Sequence, residues 1–303
     1  MSPILLVAKC EDSLYAIFLR EAGLPSHSII LCADDFGFTE GVSRGILELA
    51  ANSRISATGA MTNCRWWPVF ARELAPMHDK VSIGLHLNLT AGAPLGEMSV
   101  VAPANAFPSA GKLARMAFSG HLDRNEIIAE IERQITSFER AIGFSPDFID
   151  GHQHIHVLPV VRSALLEVIA ARFHETRPWL RDPSDSLTAI TRRRACLAKA
   201  LAVKALALGW RQAAKNSGFQ TNEGFSGFSA FSASVAASGI MQAAFTAMGP
   251  HHLVMCHPGF VDEELLNLDP ATDSRRMEFD YFMSDNFTAL LERKKIELVR
   301  ELK

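Results

Sequence analysis

The sequence predicts an α/β protein: a single (β/α) barrel-like domain with about seven strands, in a distorted TIM-type barrel. Three observations lead to this prediction. Short apolar runs rich in β-forming residues alternate with segments of helical periodicity, no linker interrupts the alternation, and polar residues collect where the apolar runs end. An open doubly wound sheet is the alternative, but the chain contains neither a GxGxxG nor a GxxxxGK(S/T) motif to indicate nucleotide binding.

Seven runs, most of them rich in β-branched and other apolar residues, are predicted as strands: 28–33, 56–62, 80–90, 147–150, 219–224, 251–258 and 295–302. Helical spacing of apolar residues predicts helices at 41–54, 66–75, 123–142, 159–173, 191–216, 232–247 and 285–294. Thr39 opens the first helix, Asp123 with Glu126 forms a capping pair, and Pro68 and Pro159 fall in first turns. The connection 91–120 is long, so we expect it to lie over a site.

Composition narrows the class of protein. The chain has 303 residues, 48% of them hydrophobic and 21% charged, which is typical of an ordinary globular protein. Its net charge of -3 provides no overall attraction to nucleic acid. No apolar run is long enough for a membrane span, and the interrupted apolar stretch within residues 1–27 lacks the charged start of a secretion signal. We predict an N-terminal extension at 1–27, followed by one domain at 28–303.

The cysteines indicate a reducing compartment. They are odd in number, widely spaced and free of CxxC pairs: Cys10, Cys32, Cys64, Cys196 and Cys256. This pattern favours reduced thiols over a disulfide framework, and we therefore expect a cytoplasmic protein.

Two adjacent carboxylates, Asp34 and Asp35, follow the first predicted strand. Because adjacent residues leaving a strand point in different directions, one can bind a cation while the other faces a bound water. Like charges held close would raise one of the two pKa values unless a cation were present. A helix cap with a solvated partner is the alternative, but the buried strand before them favours a functional pair.

Imidazoles follow the third and fourth strands. His152, His154 and His156 alternate in GHQHIH, and Asp150 is placed to orient a ligating ring. His86 alone, in an apolar strand, would be a core residue. One carboxylate and two imidazoles from three strand ends nevertheless form a three-ligand site with open positions, the composition expected of a catalytic divalent metal.

His257 follows the apolar run of MCHPGF, where its position suits a proton donor. An ordinary imidazole pKa of about 6.5 would give it both protonation states at working pH. Two further candidates are Arg177, a cation that could orient a substrate oxygen, and Glu223, a carboxylate at a strand end. A core or loop position is the alternative for each.

Together these motifs resemble the YdjC-like carbohydrate deacetylase family: ADDFG at 33–37, GLHLNLT at 84–90, DGHQHIH at 150–156 and MCHPGF at 255–260. The resemblance implies a (β/α) barrel-type fold and removal of acetyl groups from N-acetylated sugars with one divalent metal ion, magnesium or zinc. It implies that Asp35, His86 and His152 bind the metal, that Asp34 is the general base and that His257 is the acid. The expected partner is a small acetylated sugar, and a homodimer is compatible with the sequence.

Two other functions stay open at this level. A metal-dependent phosphoesterase on the same barrel would use a second metal, for which His154 and His156 could serve. A non-catalytic carbohydrate-binding protein would have no need of a proton relay through Asp34 and His257. Substrate selectivity would lie in the 91–120 connection and in aromatic residues, although core packing is the alternative for each: Trp66, Trp67, Trp179 and Phe225.

Overall fold

The computed structural model describes residues 27–232, 234–269 and 272–302. The predicted extension at 1–27 therefore lies outside the described residues, apart from His27, the first residue of β1. The strands are β1 (His27–Phe36), β2 (Ala57–Ala60), β3 (Ser82–Leu87), β4 (Phe148–Gly151), β5 (Trp179–Leu180), β6 (Gly224–Ser226), β7 (His252–Cys256) and β8 (Ile296–Leu298). All the strand pairs are parallel.

Seven strands follow one curled path in the order β5-β4-β3-β2-β1-β7-β6, and β8 pairs with the start of β1. The two ends of this path approach each other, because Leu180 of β5 forms a parallel bridge with Thr221, just before β6. The fold is therefore a single α/β domain, and the prediction of a seven-stranded, distorted barrel is confirmed.

Helices connect the strands around the outside. They are α1 (Glu40–Ala51), α2 (Trp67–Leu74), α3 (Ala110–Ser119), α4 (Arg124–Ile142), α5 (Val161–Arg172), α6 (Leu187–Arg193), α7 (Leu197–Leu206), α8 (Trp210–Asn216), α9 (Ala237–Ala244), α10 (Glu263–Leu268), α11 (Asp273–Met283) and α12 (Asp285–Lys294). The caps follow the sequence signals, since Thr39 accepts from the Val42 N–H and Asp123 from the Asn125 and Glu126 N–H groups. No helix of the described residues combines the length and apolar character needed to cross a bilayer.

Several element predictions were wrong at their boundaries. The single helix expected at 191–216 is three helices, because Arg194, Cys196 and Gly209 adopt left-handed backbone conformations between them. The connection 91–120 contains α3, which begins where Ser109 accepts from the Lys112 N–H. β5 was not predicted, since two residues are too few for a periodic signal.

Candidate active site

The predicted polar residues converge at the carboxyl ends of the strands. Asp34 and Asp35 lie at the end of β1, His86 lies in β3, and Asp150 lies in β4 directly opposite His86 in the register. His152 comes one residue after β4. Parallel strands bring their carboxyl ends to one mouth, so residues far apart in sequence meet there.

Asp35 is the centre of the group. Its backbone has a φ of 73°, a left-handed conformation that is uncommon outside glycine, and its side chain is fully buried. Its Oδ1 lies 2.9 Å from His152 Nδ1 and 3.3 Å from His86 Nε2. Asp35, His86 and His152 each offer one ligand atom, and all three atoms lie within 4.8 Å of one another. One carboxylate oxygen and two imidazole nitrogens suit a divalent metal that accepts mixed N and O ligands.

His86 is oriented by a buried carboxylate behind it. Its Nδ1 lies 2.6 Å from Asp150 Oδ1, which leaves Nε2 facing Asp35 and His152. This is the carboxylate–histidine arrangement that fixes the ring of a metal ligand. Asp150 therefore has the orienting position that the sequence indicated, but toward His86 rather than toward the histidines that follow it.

Asp34 lies outside this group and is held by an arginine that sequence reasoning missed. Arg181 donates to both Asp34 oxygens, at 2.6 and 2.7 Å, and also lies 2.6 Å from Asp150 Oδ2. Cys32, Asp34 and Asp150 also offer closely spaced ligand atoms. The Arg181 guanidinium contacts all three residues, so a cation already occupies the place between them.

A second buried arginine holds the far oxygen of Asp35. Arg275 Nη2 donates to Asp35 Oδ2 at 2.6 Å and to Asp269 Oδ2 at 2.7 Å. Asp35 Oδ1 is thereby left to the two histidines. No sequence signal pointed to either arginine, because Arg181 follows a two-residue strand and Arg275 lies in α11, a helix that periodicity did not predict.

These buried charges determine the protonation states of Asp34, Asp35 and His86. Burial works to raise the pKa of Asp34 and of Asp35, but Arg181 lowers the first, and His152 with Arg275 lowers the second well below the ordinary range. Burial works to lower the pKa of His86, yet the carboxylates of Asp150 and Asp34 outweigh it and raise that pKa to about 10. Without a metal, His86 is therefore a cation that bridges two carboxylates.

His257 shares a cavity of about 270 Å³ with Asp34, Asp35, His152 and Arg275. Burial lowers its pKa to about 4, so the expectation of an ordinary imidazole is not met, and the ring is neutral near pH 7. Its backbone N–H donates to Glu278 Oε2 at 2.6 Å, and its ring lies edge-on to Phe231. Burial raises the pKa of Glu278 to about 7.

The other two histidines of GHQHIH belong to neither ligand group of the described residues, although His154 also lines the cavity. His154 packs edge-on against Phe225 and Phe228, and burial lowers its pKa well below the ordinary range. His156 Nε2 lies 3.0 Å from the Arg181 carbonyl oxygen. The segment is a 3₁₀ turn with left-handed residues at Gln153 and His154, so the alternation expected of an extended segment does not occur.

Arg177 and Glu223 lie outside the cavity. Arg177 is exposed before β5 and donates to the Ser217 and Gly218 carbonyls, and Glu223 is exposed before β6. Both lie at the amino ends of strands, opposite the cavity. Trp67, Trp179 and Phe225 are core residues, and Trp66 donates to Glu264, so packing explains the aromatic candidates. No residue of 91–120 lines the cavity.

Comparison with known proteins identifies a protein family that this chain matches. A family profile described as YdjC-like protein matches residues 28–293. Chitooligosaccharide deacetylases from Yersinia pestis (strain Pestoides F) and Yersinia pseudotuberculosis serotype O:1b (strain IP 31758) are each 38% identical over 134 residues, 44% of this chain. The match spans about half, 52%, of each of these relatives.

A crystal structure of an Enterococcus faecalis V583 protein named for cellobiose-phosphate cleavage is similar in fold. The TM-score is 0.68 at 23% identity, and the match covers 90% of this chain and 97% of that one.

Proposed function

Since this chain belongs to the YdjC-like protein family, we propose that it is a metal-dependent hydrolase that removes an acetyl group from an N-acetylated amino-sugar compound, an oligosaccharide or a glycolipid. The observation that carries the proposal is the convergence of Asp35, His86 and His152, two of which, Asp35 and His152, line one cavity together with Asp34 and His257. The partial likeness to chitooligosaccharide deacetylases supports the choice of an acetylated sugar.

The donor set fits a divalent metal, with Asp35 Oδ1, His86 Nε2 and one ring nitrogen of His152 as its ligands. Two imidazoles favour zinc over magnesium, which prefers oxygen ligands. When bound, such an ion lowers the pKa of a water and polarises the acetyl carbonyl. Arg275 holds Asp35 Oδ2 and Asp150 holds His86 Nδ1, so the protein fixes both ligands before any ion enters.

Asp34 is the proposed general base. It is ionised at neutral pH because Arg181 binds both of its oxygens, and it lines the cavity next to the ligand group. When Asp34 takes the proton of the attacking water, its ion pair with Arg181 weakens. Asp150 then keeps the guanidinium paired, so no buried charge is left without a partner.

His257 is the proposed proton donor to the sugar amine. It is neutral near pH 7 and therefore acts only after it has received a proton. The carboxylates of Asp35 and Asp34 favour its protonated form, and both line the same cavity. The proton that Asp34 accepts can thus reach the leaving nitrogen through His257, and general acid and base steps contribute about 10²–10⁴-fold each.

Released acetate tests the proposal. The purified protein, loaded with zinc or with magnesium, is incubated with N-acetylated oligosaccharides and glycolipids, with and without a chelator. We expect acetate only with metal, and a loss of at least about 100-fold in Asp35→Asn and in Asp34→Asn. Arg44→Met, which changes an exposed ion pair, is the matched control and should retain full activity. Activity that survives both chelation and Asp35→Asn contradicts the proposal.

The alternatives give different results. A phosphoesterase would release phosphate and use two metals, but His154 and His156 belong to no ligand group of the described residues. A metal-to-protein ratio of two in elemental analysis would favour it. A binding protein would retain an acetylated sugar and release no acetate.

A further inference from the structure

Helix α7, of which Lys199 and Val203 line the cavity, exposes an apolar face on another side. At about 100° per residue, five of its residues fall within one arc of about 140°. They are Leu197, Ala198, Leu201, Ala202 and Ala205, and all five are exposed. Leu197 and Leu201 are 40% and 38% exposed, and Leu208, just after the helix, is 69% exposed. Only Ala200 and Val203 of this helix are buried. The helix therefore presents most of its apolar surface to the outside, unlike an ordinary surface helix.

The segment that contains this face is rich in cations, two of which, Arg193 and Arg211, pair with Asp185 and Asp182. Residues 186–222 contain seven lysines and arginines and no aspartate or glutamate, although the chain as a whole has a net charge of -3. Arg192, Arg194 and Lys215 are exposed. Lys199 and Lys204 flank the apolar arc but are engaged within the protein, since Lys199 Nζ lies over the Phe231 ring and Lys204 Nζ donates to the Asp185 carbonyl oxygen.

We propose that the apolar face of α7 docks on an anionic lipid bilayer, with the surrounding lysines and arginines contacting lipid headgroups. An exposed apolar stripe flanked by cations is typical of a helix that lies in the membrane interface. Anionic headgroups complement the charge of residues 186–222. A second copy of this chain complements it less well, because a symmetric contact would bring the same cations against each other.

Because α7 also forms part of the cavity wall, docking of this helix bears on access to the cavity. Lys199 and Val203 of α7 line the cavity that holds Asp34 and His257. A bilayer seated on the apolar face would therefore be separated from the cavity by this one helix.

Flotation with vesicles tests the docking, and because it needs no turnover, its outcome is independent of the proposed reaction. The full chain is mixed with vesicles of phosphatidylcholine alone, or of phosphatidylcholine and phosphatidylglycerol in equal parts. We expect binding to the anionic vesicles that weakens as salt is added. The double variant Leu197→Asp/Leu201→Asp should lower the partition coefficient about tenfold or more, and Arg192→Glu/Arg194→Glu should lower it for the anionic vesicles.

Val69→Asp is the matched control. Val69 is 51% exposed on α2, in the crossover from β2 to β3, on the other side of the barrel from the crossover between β5 and β6 that contains α7. It should bind vesicles as the unchanged chain does, and thermal melts show that each variant is folded.

Three outcomes would overturn the proposal. The first is no vesicle binding, and the second is binding that Leu197→Asp/Leu201→Asp leaves unchanged. The third is amide hydrogen exchange in α7 that is equally slow with and without vesicles, which would mean that protein covers the face. Light scattering that shows a dimer, lost in the double variant, would then identify a second copy as the occupant.

Discussion

At the scale of single residues, the site consists of buried charges that neutralise each other. Two buried arginines hold one carboxylate each of the Asp34–Asp35 pair, and His86 joins Asp35 to Asp150. Such a network is stable only while it is complete, because an unpaired buried charge is far more costly than an exposed one. Arg181 is the residue on which most of this balance depends, since it contacts both Asp34 and Asp150.

Arg181→Met should therefore destabilise the protein by about 3–5 kcal/mol, because it leaves two buried carboxylates without their cation. Urea unfolding followed by circular dichroism measures the free energy of unfolding. Arg44→Met, which breaks an exposed pair with Glu40, should change it by less than about 0.5 kcal/mol. Equal effects of the two substitutions would contradict the network described here.

Metal affinity should rise with pH. The pKa of His86 is about 10 without a metal, and a ligand nitrogen must lose its proton to bind, so binding should release about one proton. Titration calorimetry with zinc should show a gain of about tenfold per pH unit from about pH 6 to 8, and heats that depend on the buffer. His78→Gln, at a half-exposed histidine outside the cavity, should behave as the unchanged protein. An affinity that is constant with pH would argue against His86 as a ligand.

At the scale of elements, α11 completes a site whose other parts come from strand ends. Its residues Arg275 and Glu278, three apart on one face, are both buried, and they reach Asp35 and the His257 N–H respectively. A helix from the end of the chain thus supports β1 and the segment after β7.

The Glu278 carboxyl makes stability depend on pH. Its pKa is raised from 4.5 to about 7, so the folded state binds the proton more tightly, and this contribution is complete below about pH 4.5 and lost as pH rises through 7. The free energy of unfolding should lose about 2–3 kcal/mol across that window. Glu278→Gln should lack this loss, and the exposed Glu263→Gln should keep it, in urea unfolding at a series of pH values. A parallel pH profile for all three proteins would rule out the raised pKa.

At the scale of the whole molecule, the three ligand positions belong to β1, β3 and the turn after β4. In the curled sheet β3 pairs with β4, and β2 separates β3 from β1. A metal bound to all three residues links elements that are far apart in sequence, so it stabilises the folded state by mass action.

Zinc at about 100 times its dissociation constant should raise the melting temperature by about 5 °C. Asp35→Asn should remove most of this shift. Asp280→Asn, at an exposed carboxylate paired with Arg276, should retain it in differential scanning fluorimetry. The same shift in all three proteins would place the metal elsewhere.

The sequence alone predicted the alternation of strands and helices, the barrel class, and the cluster of polar residues at the strand ends. Strands and helix caps are local features, because strands appear as apolar runs rich in β-forming residues and caps such as Thr39 and Asp123 act within one helical turn. The cluster follows from the barrel class, since parallel strands bring the polar residues at their carboxyl ends to one mouth. The convergence of Asp35, His86 and His152 followed from that rule, and their role as metal ligands stays a prediction.

Only the tertiary structure decided which charges accompany them. Arg181 reaches the carboxylates from the position after a two-residue strand and Arg275 from a late helix. His154 and His156 stay outside the ligand group because the chain forms a 3₁₀ turn after β4. The lowered pKa of His257 has the same origin, since burial and the field of distant charges depend on the packing of the whole chain and leave no trace in the residues next to it.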